Sequence, residues 1–147
     1  MTTIAYSHKE KVVAIDSRVT IGDCIINDDE NKIYATEHGV FFLAGNTSDC
    51  RYVAENFSSP PRKNAHVYGI IWRNDKNHWL SLDDGDVILT ELNCDITAGS
   101  GEAYAQAALD FGKTAKEAVE YAMTRDCKTG GEVRVYSIGA EGHSCKK

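Results

Sequence analysis

Apolar and polar positions alternate from the first residues of the chain. Thr2–Tyr6 and Lys11–Ile15 are β-branched, alternating runs parted by the polar turn Ser7-His8-Lys9-Glu10, a pattern that predicts a hairpin. Alternation continues through Asp16–Ile21 to Gly22, and Cys24-Ile25-Ile26 reads as a short edge strand. Lys32–Thr36 is a further strand. Val40–Ala44 is continuously apolar and fits a central strand buried on both faces, which ends at Gly45. Thr47 or Ser48 then caps a short helix to about Phe57, and Ser58-Ser59-Pro60-Pro61 ends it. Four runs follow as a predicted meander: Ala65–Arg73, His78–Leu82, Val87–Asn93 and Asp95–Ala98, joined by Asn/Asp-rich turns.

After Gly99-Ser100-Gly101 the period becomes helical. Ala103, Tyr104, Ala107, Ala108 and Phe111 fall on one stripe, with Gly112 at the C-terminal cap. Thr114-Ala115-Lys116-Glu117 matches a capping box. The helix it opens, to about Asp126, places Ala115, Ala118, Val119, Ala122 and Met123 on one side. Val133–Ile138 is a last strand, and Glu141–Lys147 is a polar tail expected to fray. Strand blocks separated by helices, without βαβ alternation, predict an α+β fold in which packed sheets are covered by helices. No repeat or linker divides the chain, so residues 1–147 read as one domain.

Composition narrows the chemistry. A length of 147 residues suffices for a real core, and a net charge of −6 argues against nucleic-acid partners. No apolar run reaches membrane-span length and no signal peptide precedes Thr2, which predicts a cytoplasmic protein. The five cysteines are odd in number and widely spaced, against a disulfide framework or zinc site and in favour of a reducing compartment. Asp83-Asp84-Gly85-Asp86 lacks the spaced ligands of a calcium loop and reads as a hairpin turn. No metal or cofactor is expected. A cysteine–histidine hydrolase stays open, but no local signature supports it.

Thr2 carries the chemistry of interest. A small residue after Met1 is the kind of site at which the initiator methionine is trimmed. Trimming places a hydroxyl and a free α-amine on one residue, a nucleophile with its own base.

Six pieces in order then resemble one family. They are Thr2-Thr3-Ile4-Ala5, Ala14–Thr20, Lys32-Ile33, Leu43–Cys50, Gly99–Ala105 and Arg125–Gly131. Across residues 2–138 the chain resembles proteasome β-type subunits and the peptidase subunit of the bacterial ATP-dependent two-component protease. These are N-terminal-nucleophile hydrolases with an αββα four-layer sandwich. The resemblance implies Thr2 as nucleophile, its freed amine as base, and Lys32 as the lysine beside it, held by Asp16. It implies Gly45 as the oxyanion-stabilising N–H, and Ser100, Asp126 and Thr129 as the polar cluster around the amine. Thr129 stands where the family has serine. Thr20 and Thr47 match main-chain partners of an extended peptide, and Val19 and Leu43 the walls of the main side-chain pocket, with Glu30 nearby. Two apolar walls suggest an apolar residue before the scissile bond.

The chain departs from the family in two places. The first hairpin is shorter, which leaves the outer register intact. Between Cys50 and Ala65 one short helix replaces two long helices and a strand, so the helical layer on that side is reduced. The resemblance implies a peptide or unfolded protein as substrate, a homo-oligomer and an AAA+ ATPase partner. The reduced layer leaves ring, smaller assembly and dimer open. A threonine endopeptidase is the first expectation. Alternatives are a catalytically silent subunit acting by binding or assembly, and an amidase for a small-molecule amide.

Overall fold

Two five-stranded antiparallel sheets and a separate hairpin make up the strands of the structure, a computed structural model that describes residues 1–58, 66–83, 85–138 and 145–146. β1 (Thr3–Ser7) and β2 (Val12–Ile15) form the predicted N-terminal hairpin, in register Ile4↔Ile15 and Tyr6↔Val13. β3 (Val19–Ile21) and β4 (Cys24–Asn27) make a two-stranded ribbon that exposes Ile21, Ile25 and Ile26. β5 (Ile33–Thr36) and β6 (Gly39–Gly45) follow, then α1 (Thr47–Glu55). The cap of α1 is Asn46 rather than Thr47 or Ser48. Its side-chain oxygen accepts from the Ser48 and Asp49 amides, which a carboxamide reaches from one position earlier.

β7 (Val67–Arg73), β8 (Lys76–Asp83) and β9 (Asp86–Glu91) complete the sheet β5-β6-β7-β8-β9. The expected proline turn at 59–61 and the start of the Ala65 run lie outside the described residues. β10 (Ile96–Gly99) does not extend the meander. It crosses to pair with β1, in register Thr3↔Gly99. Thr97, Ala98 and Gly99 are all buried, and the half-exposed edge at β9 offers no such environment.

α2 (Glu102–Asp110) and α3 (Ala115–Met123) follow, then β11 (Arg134–Ser137) and β12 (Cys145–Lys146), giving the sheet β10-β1-β2-β11-β12. Part of the tail expected to fray therefore pairs with β11, and residues 139–144 and 147 lie outside the described residues. The capping box at Thr114 and Glu117 is present in both directions. The stripe expected on α2 is rotated: Ala108 is buried as expected, but its buried companions are Ala105 and Leu109, while Ala103, Tyr104, Ala107 and Phe111 are exposed. Both stripes have helical spacing, and alanines pack closer to a sheet than aromatics do.

Three apolar clusters account for the burial. Ile4, Tyr6, Val13 and Ile15 of one sheet meet Phe42, Ala44, Ile70 and Trp72 of the other. On the far face of the first sheet, Ala5 and Ala14 lie against the alanine-rich faces of α2 and α3. On the far face of the second, Phe41, Leu43, Ile71 and Leu80 meet Cys50, Val53 and Ala54 of α1. β1 is thus buried on both sides, large residues toward the opposite sheet and Ala5 toward the helices. β6 is likewise buried on both faces, as its unbroken apolar run predicts. Among the described residues α1 is the only helix on its side.

Candidate active site

The end of β1 places Thr2 at a small cleft whose walls also include Val19, Lys32, Leu43, Gly45 and Thr47. Its volume is about 20 Å³, room for roughly one water with Met1 in place. Three separate stretches of sequence converge there because their strand ends do. Asp16 directly follows β2, Lys32 directly precedes β5, and Gly45 closes β6.

Asp16 is fully buried and accepts three hydrogen bonds. Oδ1 takes the Thr3 amide at 3.1 Å and Lys32 Nζ at 2.9 Å; Oδ2 takes the Gly130 amide at 3.0 Å. Lys32 is itself only 6% exposed, so this is an interior ion pair rather than a solvated one. Burial pulls the Lys32 ammonium below the ordinary lysine range, and Asp16 opposes that shift. Lys32 Nζ also donates to the carbonyl oxygen of Met1 at 2.8 Å, the carbonyl of the bond that precedes Thr2. Burial lowers the Met1 α-amine as well, and the Lys32 charge adds to the effect.

A second polar group lies against Thr3. Thr129 Oγ1 donates to Asp126 Oδ2 at 2.6 Å, and Ser100 Oγ donates to the same oxygen at 2.5 Å. Thr3 Oγ1 stands 2.6 Å from Thr129 Oγ1. Since the Thr129 proton is committed to the carboxylate, Thr3 is the donor of that pair, and its oxygen accepts the Gly101 amide at 3.0 Å. The result is a directed chain of hydroxyls ending on Asp126. Burial raises the Asp126 carboxyl, but the two hydroxyls and the Lys128 amide outweigh it and leave it below the ordinary range. The Ser100 amide holds the Thr2 carbonyl at 2.9 Å, which ties this group to the nucleophile candidate.

Two glycines beside Thr2 cannot carry a side chain. Gly45 has φ +129, and a β-carbon there would lie 1.9 Å from the His66 carbonyl oxygen. Gly99 has φ +99, and a β-carbon there would lie 1.6 Å from the Thr2 carbonyl oxygen.

Thr2, Lys32, Gly45, Val19, Leu43 and Thr47 all line the one cleft, with Asp16 behind Lys32 and the Ser100–Asp126–Thr129 group behind Thr3. Thr20 lies beside Val19 on β3 but is not among the cleft residues. Glu30, Arg18, Tyr34 and Cys50 also line it. Burial pushes Tyr34 and Cys50 each up to about 12, so the Cys50 thiol stays protonated near neutrality and is a poor nucleophile.

Sequence reasoning missed Thr3, whose amide donates to Asp16 and whose hydroxyl meets Thr129, so that the residue joins the two groups; the doubled threonine was its only signal. It also missed two arginines. Arg18 forks onto Asp28 at 2.7 and 3.1 Å and reaches the Cys127 carbonyl at 2.8 Å. Arg134 holds Ser17 Oγ, the Glu30 carbonyl and Asp29 Oδ1. Between them they fasten the 28–30 turn, and with it the approach to Lys32, to the rest of the site. Among the described residues no group of three or more His, Cys, Asp or Glu is placed to hold a metal, and no helix is long and apolar enough to cross a membrane.

Fold and site together define a mixed α/β chain with a threonine, a buried lysine–aspartate pair and a glycine turn at the mouth of two packed sheets. Among solved structures, eukaryotic HslV from Trypanosoma brucei matches with a TM-score of 0.66 over 90% of this chain and 97% of that one. Sequence identity is 19%, so what the two share is the fold. No protein-family model and no curated protein matches the chain.

Proposed function

We propose that the chain is a proteasome-like threonine peptidase, an N-terminal-nucleophile hydrolase that cleaves peptide bonds once Met1 has been removed. The observation that carries the reading is the buried Asp16–Lys32 pair at the cleft that Thr2 lines, 2.9 Å apart and 0% and 6% exposed. A desolvated ion pair is costly to keep as structure alone. Its position beside a threonine that follows the first residue gives it a use.

The freed Thr2 amine takes the hydroxyl proton through a water, and Oγ attacks the substrate carbonyl. The Lys32 ammonium, oriented by Asp16, favours the alkoxide and keeps the neighbouring amine unprotonated. The Gly45 amide stabilises the oxyanion. Collapse expels the leaving amine with a proton, and a water then hydrolyses the Thr2 ester. Ser100, Asp126 and Thr129 position the amine through Thr3, Val19 and Leu43 wall the pocket for the residue before the scissile bond, and Thr20 and Thr47 pair with substrate main chain.

The three apolar clusters support an αββα sandwich in a single domain, with α1 as the reduced layer. The substrate is then a peptide or unfolded protein, and the working form a cytoplasmic homo-oligomer, ring or dimer, served by an AAA+ ATPase. A chain shown by intact mass to lack Met1, compared with Thr2→Ala on fluorogenic peptides, tests the reading. Loss of turnover in the variant is the expected result, and equal turnover refutes it. A second reading, a silent subunit acting by assembly, is favoured by the single short helix, α1, that covers its side of the second sheet among the described residues, and it would hold for any chain that keeps the Met1 carbonyl. While that carbonyl is present the Thr2 nitrogen is an amide and no base. Retention of Met1 throughout a purified sample decides for this second reading.

A further inference from the structure

Three charged side chains line the cleft at Thr2: Arg18, Lys32 and Glu30. Both cations are already answered by carboxylates that are not cleft residues. Arg18 forks onto Asp28 at 2.7 and 3.1 Å, and Lys32 bonds Asp16 at 2.9 Å. Glu30 has no such partner. Among the described residues its carboxylate makes no ion pair and takes one hydrogen bond, from the Asn27 carboxamide at 3.2 Å.

The place of Glu30 is fixed by its backbone. Its amide donates to the Ser17 carbonyl at 3.0 Å, and its carbonyl accepts from Arg134 Nη1 at 3.0 Å. Asn27, which holds the carboxylate, is the cross-strand partner of Val19, so the carboxylate stands beside that apolar wall. Its charge reaches the other cleft groups. Burial lowers Lys32 and Asp16 opposes that, burial raises Tyr34, and on both the Glu30 charge acts upward. Arg51 also acts on Tyr34, but it is exposed and is not a cleft residue.

We infer that the cleft takes a lysine or arginine before the scissile bond, with Glu30 as the residue that sets this specificity. The inference rests on the peptidase reading above for where that bond lies. The apolar stem of the basic side chain lies along Val19 and Leu43, and its cationic head meets Glu30. Two apolar walls alone fit an apolar side chain. Such a side chain would cover the Glu30 carboxylate without answering it, and an acidic one would set like charges together. The net charge of −6 draws the same basic peptides toward the protein.

The full chain, shown by intact mass to lack Met1, is assayed on fluorogenic peptides that differ only in Arg, Leu or Glu before the scissile bond. Unlabelled peptides ending in the same three residues are titrated by calorimetry. Arg should exceed Leu by at least about tenfold in kcat/KM and in affinity, with Glu lowest. Glu30→Gln keeps an amide oxygen for Asn27 and should fold; it should lower the Arg-to-Leu ratio about tenfold. Glu30→Lys should move the order toward Glu, and supplies the same test should Glu30→Gln not fold. No turnover on any peptide, with the order of affinities in place, refutes the peptidase reading and upholds the Glu30 pocket. Leu at or above Arg in affinity, or an Arg-to-Leu ratio unchanged in both variants, overturns the inference.

Discussion

Replacing Asp16 by asparagine removes one negative charge from the interior and leaves the shape almost unchanged. The native carboxylate receives Thr3 N and Lys32 Nζ on one oxygen and Gly130 N on the other. An asparagine has one accepting oxygen, so at least one of these donors faces an amide nitrogen. Lys32, 7% exposed at its side chain, keeps its ammonium without a counter-charge. Breaking one side of a buried pair costs about 3–5 kcal/mol. With an m-value of about 2 kcal/mol/M this moves the urea midpoint down by roughly 2 M.

The loss should depend on pH. Burial already holds folded Lys32 below the lysine value of 10.5, and Asp16 is the main influence opposing that shift. Between the folded and unfolded values the unfolded chain binds more protons, so stability rises with pH across that window. Without Asp16 the folded value falls further and the window opens at lower pH. The deficit of Asp16→Asn against wild type should therefore narrow from about pH 7 to about pH 10, as the lysine sheds its proton in the folded variant first. Urea unfolding at several pH values measures this. A deficit below about 1 kcal/mol, or one that is flat with pH, would refute the buried-pair argument.

Two further substitutions test the frame of the site. Gly45→Ala puts a β-carbon 1.9 Å from the His66 carbonyl at φ +129 and should destabilise by more than about 3 kcal/mol, read by thermal melting. Thr129→Ala should cost about 1–3 kcal/mol by stranding the Thr3 hydroxyl, and Thr129→Ser should restore most of it, because only the hydroxyl is in the chain.

Features fixed by local physics were legible in the sequence. The N-terminal hairpin follows from alternation around a polar turn, the doubly buried β6 from an unbroken apolar run, and the α3 start from its capping box. What escaped was settled by partners distant in sequence. β10 reads as one more strand of a meander, and only the buried space beside β1 draws it into the other sheet. Tyr104 and Phe111 outweigh Ala105 in hydrophobicity, yet the sheet admits small side chains. At the site, residue types and order pointed to Asp16, Lys32 and Gly45 through family likeness. Burial of the ion pair, the hydroxyl chain through Thr3 and the clasp of Arg18 and Arg134 have no local signature. The Thr3 hydroxyl contacts, the Arg18–Cys127 contact and the Arg134 contacts join residues about a hundred positions apart.

The position of Thr2 also has a consequence in time. Thr2 is 6% exposed, its carbonyl is held by Ser100, and Thr3 is fully buried against Asp16 and Gly99. An external aminopeptidase needs the bond before Thr2 extended and accessible, and in the folded chain the carbonyl of that bond is taken by Lys32. On the proposed function, such an enzyme meets its substrate on the growing or unfolded chain, and closure of the first strand into its sheet acts as a deadline: the order of two early events, trimming and folding, decides what chemistry residue 2 possesses afterwards.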